Sequence, residues 1–360
     1  MRRKLAVALT LAAAAWLAFG GWTLARRAAR PPPSPGEARG AWHVHTIRSD
    51  GRGSLDEVVA AARQAGLQFV VVADHNVLTP SEAGYRDGVL VVEATEISSA
   101  FGHVVAIGLP DAPGAAEKAD PLGRIAAEGA AAVLAHPLHP RRPFTGWGRG
   151  PWRGFEVVSN DAAWHQDLHD RAIGRILLAA LAFPFDRAQA VLWLSRPPEA
   201  ELARFDAEAA AAVSSTGSPP AFFCSADAHG YPSYRAAFEA FSMHVPVALS
   251  GDAAADTRAV LGALLDRRAV CVFDGVAPAG PVRLTPAEGG GLDLTLEGPA
   301  PRGARVRLLR DGSEAEAGPL SPGWPNRVHF CTAGCPRGIY RAEATVDGRP
   351  WIFTNPVTVK

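Results

Sequence analysis

The spacing of hydrophobic and polar positions changes along this chain, and each rhythm predicts a different kind of element. Leu5 to Ala25 is an apolar stretch without a charge, set behind Arg2-Arg3-Lys4 and carrying Trp16 and Trp22. About 20 residues at helical rise cross a hydrocarbon core, so the stretch predicts a membrane helix over 1–25. An uncleaved signal anchor is the expectation and a cleaved signal peptide the alternative, with Ala18-Phe-Gly20 as a weak cleavage site. Residues 26–39, with Arg30-Pro-Pro-Pro-Ser-Pro-Gly36 inside, read as a stiff extended spacer lifting the rest off the membrane.

From Gly40 to about Gly275 strand-like and helix-like segments alternate. Ser54 to Gly66 starts as a capping box, Ser54 with Glu57, and ends at a glycine before the apolar run Phe69 to Ala73. Pro121 to Gly129 repeats the scheme before Ala131 to Ala135, and Gly154 to Ser159 reads as a further strand. Residues 161–213 are alanine- and leucine-rich and helical, broken at Pro184 and at Pro197-Pro198, and fit best as packing on the strands. Such alternation predicts parallel strands with crossover helices. From Pro281 the period shortens to two. Leu292 to Leu296, Ala304 to Leu309, Gly338 to Ala344 and Trp351 to Thr354 predict an antiparallel β-sandwich over 276–360.

Composition changes this picture little. Lys+Arg and Asp+Glu both total 36, so no net field argues for a nucleic-acid partner. Of the four cysteines, Cys224 and Cys271 lie in apolar runs and are expected as buried thiols. Cys331 and Cys335 are expected to close a short loop in an oxidising compartment.

The chemistry lies at the ends of the predicted strands. His43-Val-His45 precedes Ser49-Asp50-Gly51, and Asp74-His75 follows Phe69 to Ala73. Glu93-Ala-Thr-Glu96 precedes Gly102-His103. His136-Pro137 follows Ala131 to Ala135, and Asp227-Ala-His229 follows Ala221 to Ser225. Imidazole nitrogen and carboxylate oxygen form the ligand set of catalytic zinc, manganese and iron. Residues two apart on a strand point to one side, so His43 and His45 can share an ion. No G-x-S-x-G elbow offers a serine nucleophile, and Gly289-Gly-Gly291 lacks a P-loop lysine.

In this order the motifs resemble the polymerase-and-histidinol-phosphatase (PHP) domain over roughly residues 40 to 275, closest to the carbaryl-hydrolase-like branch. The resemblance implies an α/β fold, a distorted (β/α)7-type barrel, with the membrane helix before it and the sandwich after it. It implies two or three divalent ions, Mn, Fe or Zn. The first would be held by His43, His45, Glu96 and Asp227, and the second by Glu96, His103 and His136. The third would be held by Asp50, His75 and His229, with Asp50 where many relatives have histidine. His165 is a candidate ligand of the second. Asp74 and Asp50 are candidates for orienting ligands or handling protons. Arg48, Arg141, Tyr234 and Arg235 are candidates for holding substrate. The expected activity is hydrolysis of a small-molecule phosphoester by water activated between metal ions. A carboxylic or carbamic ester is the alternative within the fold, and a membrane-anchored, non-catalytic binding protein the alternative outside it. The catalytic domain is expected outside the cytoplasm, in a bacterial periplasm or at a cell surface.

Overall fold

The computed structural model describes residues 1–26, 30–323 and 326–360. Arg27 and its two successors, part of the expected spacer, lie outside them. The chain folds into a mixed α/β structure behind one N-terminal apolar helix, α1 (Arg2–Ala25). The first strand, β1 (Ala38–Val44), leads to α2 (Leu55–Gln64), whose capping box forms as its sequence predicts. Ser54 Oγ accepts from Glu57 N at 3.2 Å and Glu57 Oε2 accepts from Ser54 N at 2.7 Å.

Strands β2 (Phe69–Val72), β3 (Gly84–Arg86), β4 (Val89–Glu93), β5 (Thr95–Ser99) and β6 (Gly102–Ile107) follow. Next come α3 (Ala115–Ala119), α4 (Pro121–Ala127), β7 (Ala131–Leu134) and β8 (Gly154–Ser159). The helical stretch comprises α5 (Asn160–His169), α6 (Ile173–Ala182), α7 (Arg187–Leu194) and α8 (Glu199–Thr216). Then β9 (Ala221–Ala228), α9 (Tyr234–Ala240), β10 (Ser242–Val245), α10 (Ala253–Leu265) and β11 (Val270–Val272) complete this part.

β1 pairs in parallel with β2 and with β9, and β9, β8 and β7 pair in parallel in turn. β2 is parallel to β4, which runs through Ala94 into β5, and a bridge links His75 to Glu96. β5 pairs with β6 and β6 with β7, so the pairings return to β1. The expected parallel order fails at β3, antiparallel to β4, at β10, antiparallel to β1 and β11, and at β6, antiparallel to both of its neighbours. Only two residues separate β5 from β6, and a connection that short permits no crossover helix. Gly102 makes the turn at φ +112°, where an added Cβ would lie 2.9 Å from the backbone of Phe144.

The C-terminal strands are antiparallel, as their period predicts. β12 (Val282–Pro286), β13 (Leu292–Leu296) and β16 (Asn326–Phe330) form one sheet. β14 (Ala304–Arg310), β15 (Ser313–Pro319), β17 (Gly338–Val346), β18 (Arg349–Thr354) and β19 (Val357–Val359) form the other. Leu284, Leu294, Val306, Leu308 and Trp351 share one core between them. The second sheet is not separate from the rest, because β18 pairs with β11, β11 with β10 and β10 with β1.

Cys224 and Cys271 are joined in a disulfide, which overturns the expectation of two free thiols. Each strand reads as apolar by itself, and only their adjacency in the sheet brings the sulfurs together. Cys331 and Cys335 are also joined.

The proline-rich stretch is a strap rather than a free spacer. Arg30 donates to the carbonyls of Ala65 and Phe238 and to Asp274, and Arg39 donates to Pro31 O. Burial pushes the Asp274 carboxyl up, but Arg30, His244 and Ser242 outweigh it and bring it down to about 2. A depressed carboxylate contributes stability that is complete above its ordinary value near 3.8 and lost as pH falls toward about 2. Acid denaturation of Asp274→Asn, followed by tryptophan fluorescence, should therefore lose slope in that window and show lower stability above it. An unchanged acid limb would refute this role for the strap.

Candidate metal centre

β1 does not deliver its histidines by simple alternation. Its pairing slips between Trp42 and Val44, and His43 sits at φ 64°. His45 lies beyond the end of the strand. The result is convergence all the same, with the two Nε2 atoms 3.1 Å apart. His136 at φ 28° and Asp227 at φ 40° are also in the left-handed region. Such backbone in residues with a Cβ costs energy that surrounding structure must repay, and it gathers at functional sites.

Glu96, on β5 and fully buried, is the hub. Its Oε1 is 2.8 Å from His103 Nδ1 and 2.9 Å from His136 Nε2. Its Oε2 is 3.1 Å from His75 Nδ1, 3.2 Å from His43 Nε2 and 3.4 Å from His45 Nε2. Yet among the described residues Oε2 has no hydrogen-bond partner, and neither has the buried His136 Nδ1. Five imidazoles round one carboxylate with an orphaned oxygen satisfy the donors poorly and suit cations well. His43, His45 and Glu96 form one group of ligand atoms, and His75, Glu96 and His103 a second. His45, Asp50, His75 and His229 form a third. Asp227 Oδ1 reaches His45 Nε2 at 3.3 Å. The structure thus brings together His43, His45, Asp50, His75, Glu96, His103, His136, Asp227 and His229, although His45 and His75 stand between groups that the family pattern keeps apart.

The carboxylates and imidazoles of the cluster shift one another's proton affinities. Burial pushes His136 down, but Glu96 and Asp227 bring it up to about 9. Burial likewise lowers His229, and Asp50 and Asp227 raise it to about 9. Burial raises Glu96, yet its histidines hold it well below the usual carboxylate range.

His165 stands at the edge of this cluster, its ring 5.1 Å from that of His139. It forms a separate group with His139 and Asp161, its Nδ1 3.0 Å from Asp161 O. His139 Nδ1 accepts from Arg141 N and Arg142 N, which leaves its proton on Nε2, 3.5 Å from Asp161. That group too could hold a metal ion, and its His139 ring lies 5.4 Å from the ring of His136.

The expected substrate groups fare differently. Arg48 is 2.9 Å from Asp74, 2.7 Å from Glu82 and 3.0 Å from Glu93, so three carboxylates already occupy its guanidinium. Tyr234 is buried, donating to His45 O and accepting from Gly53 N. Arg235 pairs with Glu239 on the outer face of α9. Arg141 is exposed near the site. Asp74 holds the ligand-bearing loop through Thr46 N, Thr46 Oγ1 and Ser49 Oγ.

One residue was not singled out by its motif. Glu156, buried on β8, accepts from Trp42 Nε1 at 2.7 Å and from His136 N at 2.8 Å. Its Oε1 is also 2.8 Å from His43 Nδ1. Its signal was a lone carboxylate inside the apolar run Gly154 to Ser159. Arg52, which flanks Asp50 as Arg48 does and was expected with it as a holder of phosphate or carboxylate, is exposed beside His229, whose carbonyl accepts from Arg52 N at 2.9 Å. Its guanidinium stands 5.3 Å from the Tyr231 ring, and among the described residues it has no carboxylate partner.

No protein-family model matches the chain, and no curated protein matches it significantly. Among solved structures it is similar to a two-domain protein from Bacteroides vulgatus containing a predicted PHP-like metal-dependent phosphoesterase. The identity is 15% and the TM-score 0.40, over 92% of this chain and 98% of that one. A proposed metal-dependent phosphoesterase from Bifidobacterium adolescentis is 15% identical at a TM-score of 0.32, over 56% of this chain and 90% of that one. An amidohydrolase from Chromobacterium violaceum, solved with sulfate and no metal, is 17% identical at 0.27, over 37% and 84%. At these scores the cluster's own geometry, and not the likeness, carries the function.

Proposed function

We propose that this chain is a metal-dependent hydrolase that cleaves phosphoesters, built on a PHP-like domain held at a membrane. The observation that carries it is the buried Glu96 carboxylate facing five imidazoles with one oxygen orphaned. His43, His45, Asp50, His75, Glu96, His103, His136, Asp227 and His229 would hold two or three divalent ions, Mn, Fe or Zn. Bound there, such ions lower the pKa of water toward neutrality and offset charge on the ester oxygens. Glu156 fixes the His43 ring so that Nε2 faces the centre, a role carboxylates commonly take behind a ligating histidine. Asp74 fixes the loop carrying Asp50. Arg52, exposed and without a carboxylate partner among the described residues, would grip a phosphate, a task for which Arg48 and Arg52 were both candidates. The two disulfides favour a catalytic domain outside the cytoplasm.

The full chain, purified in detergent without chelator, should carry two or three of these ions per chain. It should turn over p-nitrophenyl phosphate or bis-p-nitrophenyl phosphate faster than p-nitrophenyl acetate, and His43→Ala should lose that turnover. A preference for the acetate would move the reading to carboxylic esters. Metal-free, inactive protein after reconstitution with each metal would overturn it.

A further inference from the structure

The apolar surface of this protein does not end with α1. Along α6, Ile173, Leu177 and Leu181 recur every four residues and are 64%, 56% and 44% exposed. Ala180 and Pro184 extend the same bare face. The one charge within α6, Arg175, is turned aside to Asp167 and to the carbonyl of Leu194. An exposed stripe of this kind on a helix is costly in water, and a bilayer is one surface that would cover it.

The position of α1 identifies that surface. Its C-terminal half is seated on α6 and α7. Trp16 Nε1 donates to Leu181 O, Trp16 packs edge-on to Phe185, and Trp22 meets Trp193. A Cβ at Gly20 would fall 2.3 Å from the Phe185 ring, so the helix is fitted to its partner at the place where the weak cleavage site lies. A helix discarded on export needs no such fit. The other half of α1 projects free, with Leu5, Val7, Leu9 and Leu11 all exposed. Whatever covers those side chains therefore lies alongside α6, and for a helix of this length and hydropathy that is hydrocarbon. Tryptophans at the junction suit the interfacial layer.

The same surface borders the metal centre. Trp164 and Leu168, exposed one turn apart on α5, precede the α6 stripe. Phe183, just past α6, lies 6.3 Å from the ring of Tyr231, two residues beyond His229. Ile47, two residues beyond His45, is exposed as well. We infer that α6 lies in the leaflet beside α1 and opens the metal centre onto the bilayer surface, so that its substrate is a phosphoester carried on a membrane lipid. This deepens the proposed phosphoesterase reading and rests on it. The phosphate of such a lipid sits at the headgroup level, and its acyl chains would remain in the bilayer along α6.

The test uses the full chain reconstituted in phosphatidylcholine vesicles containing phosphatidic acid or phosphatidylglycerol, a monoester and a diester. The soluble counterparts are p-nitrophenyl phosphate and bis-p-nitrophenyl phosphate. Ile173→Asp/Leu177→Asp keeps α1 as anchor and alters only the stripe. The expected result is hydrolysis of a vesicle lipid that falls at least about tenfold in the double variant, while soluble turnover stays within about twofold. Hydrolysis of the soluble esters alone, or lipid hydrolysis indifferent to the double variant, would overturn the inference and leave the phosphoesterase standing. Equal losses on both substrates would overturn it too, showing α6 to be a wall of the site. Turnover of neither substrate would sink the phosphoesterase and this inference together.

Discussion

Glu96→Gln is expected to strip the centre of most of its metal and nearly all of its activity. The substitution keeps the shape of the side chain and removes the one charge that His43, His45, His75, His103 and His136 all face. An amide presents a single acceptor oxygen, and its NH2 would confront ring nitrogens whose lone pairs are needed for metal. Losing several kcal/mol of charge stabilisation, at about 1.4 kcal/mol per decade, corresponds to roughly 10³-fold or more in turnover. Metal content should fall to one ion or fewer per chain. Thermal melts give an independent readout. Metal at about 100 times its dissociation constant stabilises a protein by about 2.7 kcal/mol, so chelator should lower the melting temperature of the parent. The same chelator should shift the Glu96→Gln protein little. A variant retaining its metals and a tenth of parental turnover would remove Glu96 from the centre.

How much of this was legible in the sequence differs by element. The capped helix α2, the strand runs before His75, His136 and Asp227, and the period-two strands after Pro281 are local signals, and they sit where their patterns placed them. Misreadings arose where a pairing across the fold decides the outcome. Gly102 and the two-residue connection before it mark β6 as a hairpin strand, but that needs loop length as well as periodicity. The Cys224–Cys271 disulfide and the β11–β18 pairing depend on strands far apart in the chain. The same holds for the site. Motif order brought forward the nine clustered residues, while the fate of each arginine was illegible. Arg48 finds Glu82 and Glu93 only once β4 and the short helical turn at Pro80–Glu82 are placed beside its loop. His165 looks like a ligand by its place after a strand, and α5 sets it beside Asp161 and His139 in a group that no single motif announces.

Glu156 is the residue this reading missed, and its replacement should have the second-largest effect. One carboxylate here serves two sides: Oε1 meets Trp42 Nε1 and His43 Nδ1, and Oε2 accepts from His136 N. Alanine would leave those buried donors without an acceptor, at about 1–3 kcal/mol for each group left unsatisfied. Glutamine cannot repair this, because its oxygen can face Trp42 and His43 or face His136, and its NH2 would meet a donor on the other side. His43 and His136, two residues with left-handed backbone, would both lose their support. Outer carboxylates of this kind typically contribute about 10–100-fold in metal affinity or activity. Both variants should therefore bind metal at least tenfold more weakly than the parent in chelator competition, with alanine also melting at a lower temperature. Weaker binding lets excess metal restore part of the turnover, which it would not do for Glu96→Gln. A Glu156→Gln protein that bound metal within twofold of the parent would show that the ring of His43 is held by packing against Trp42 and its neighbours instead.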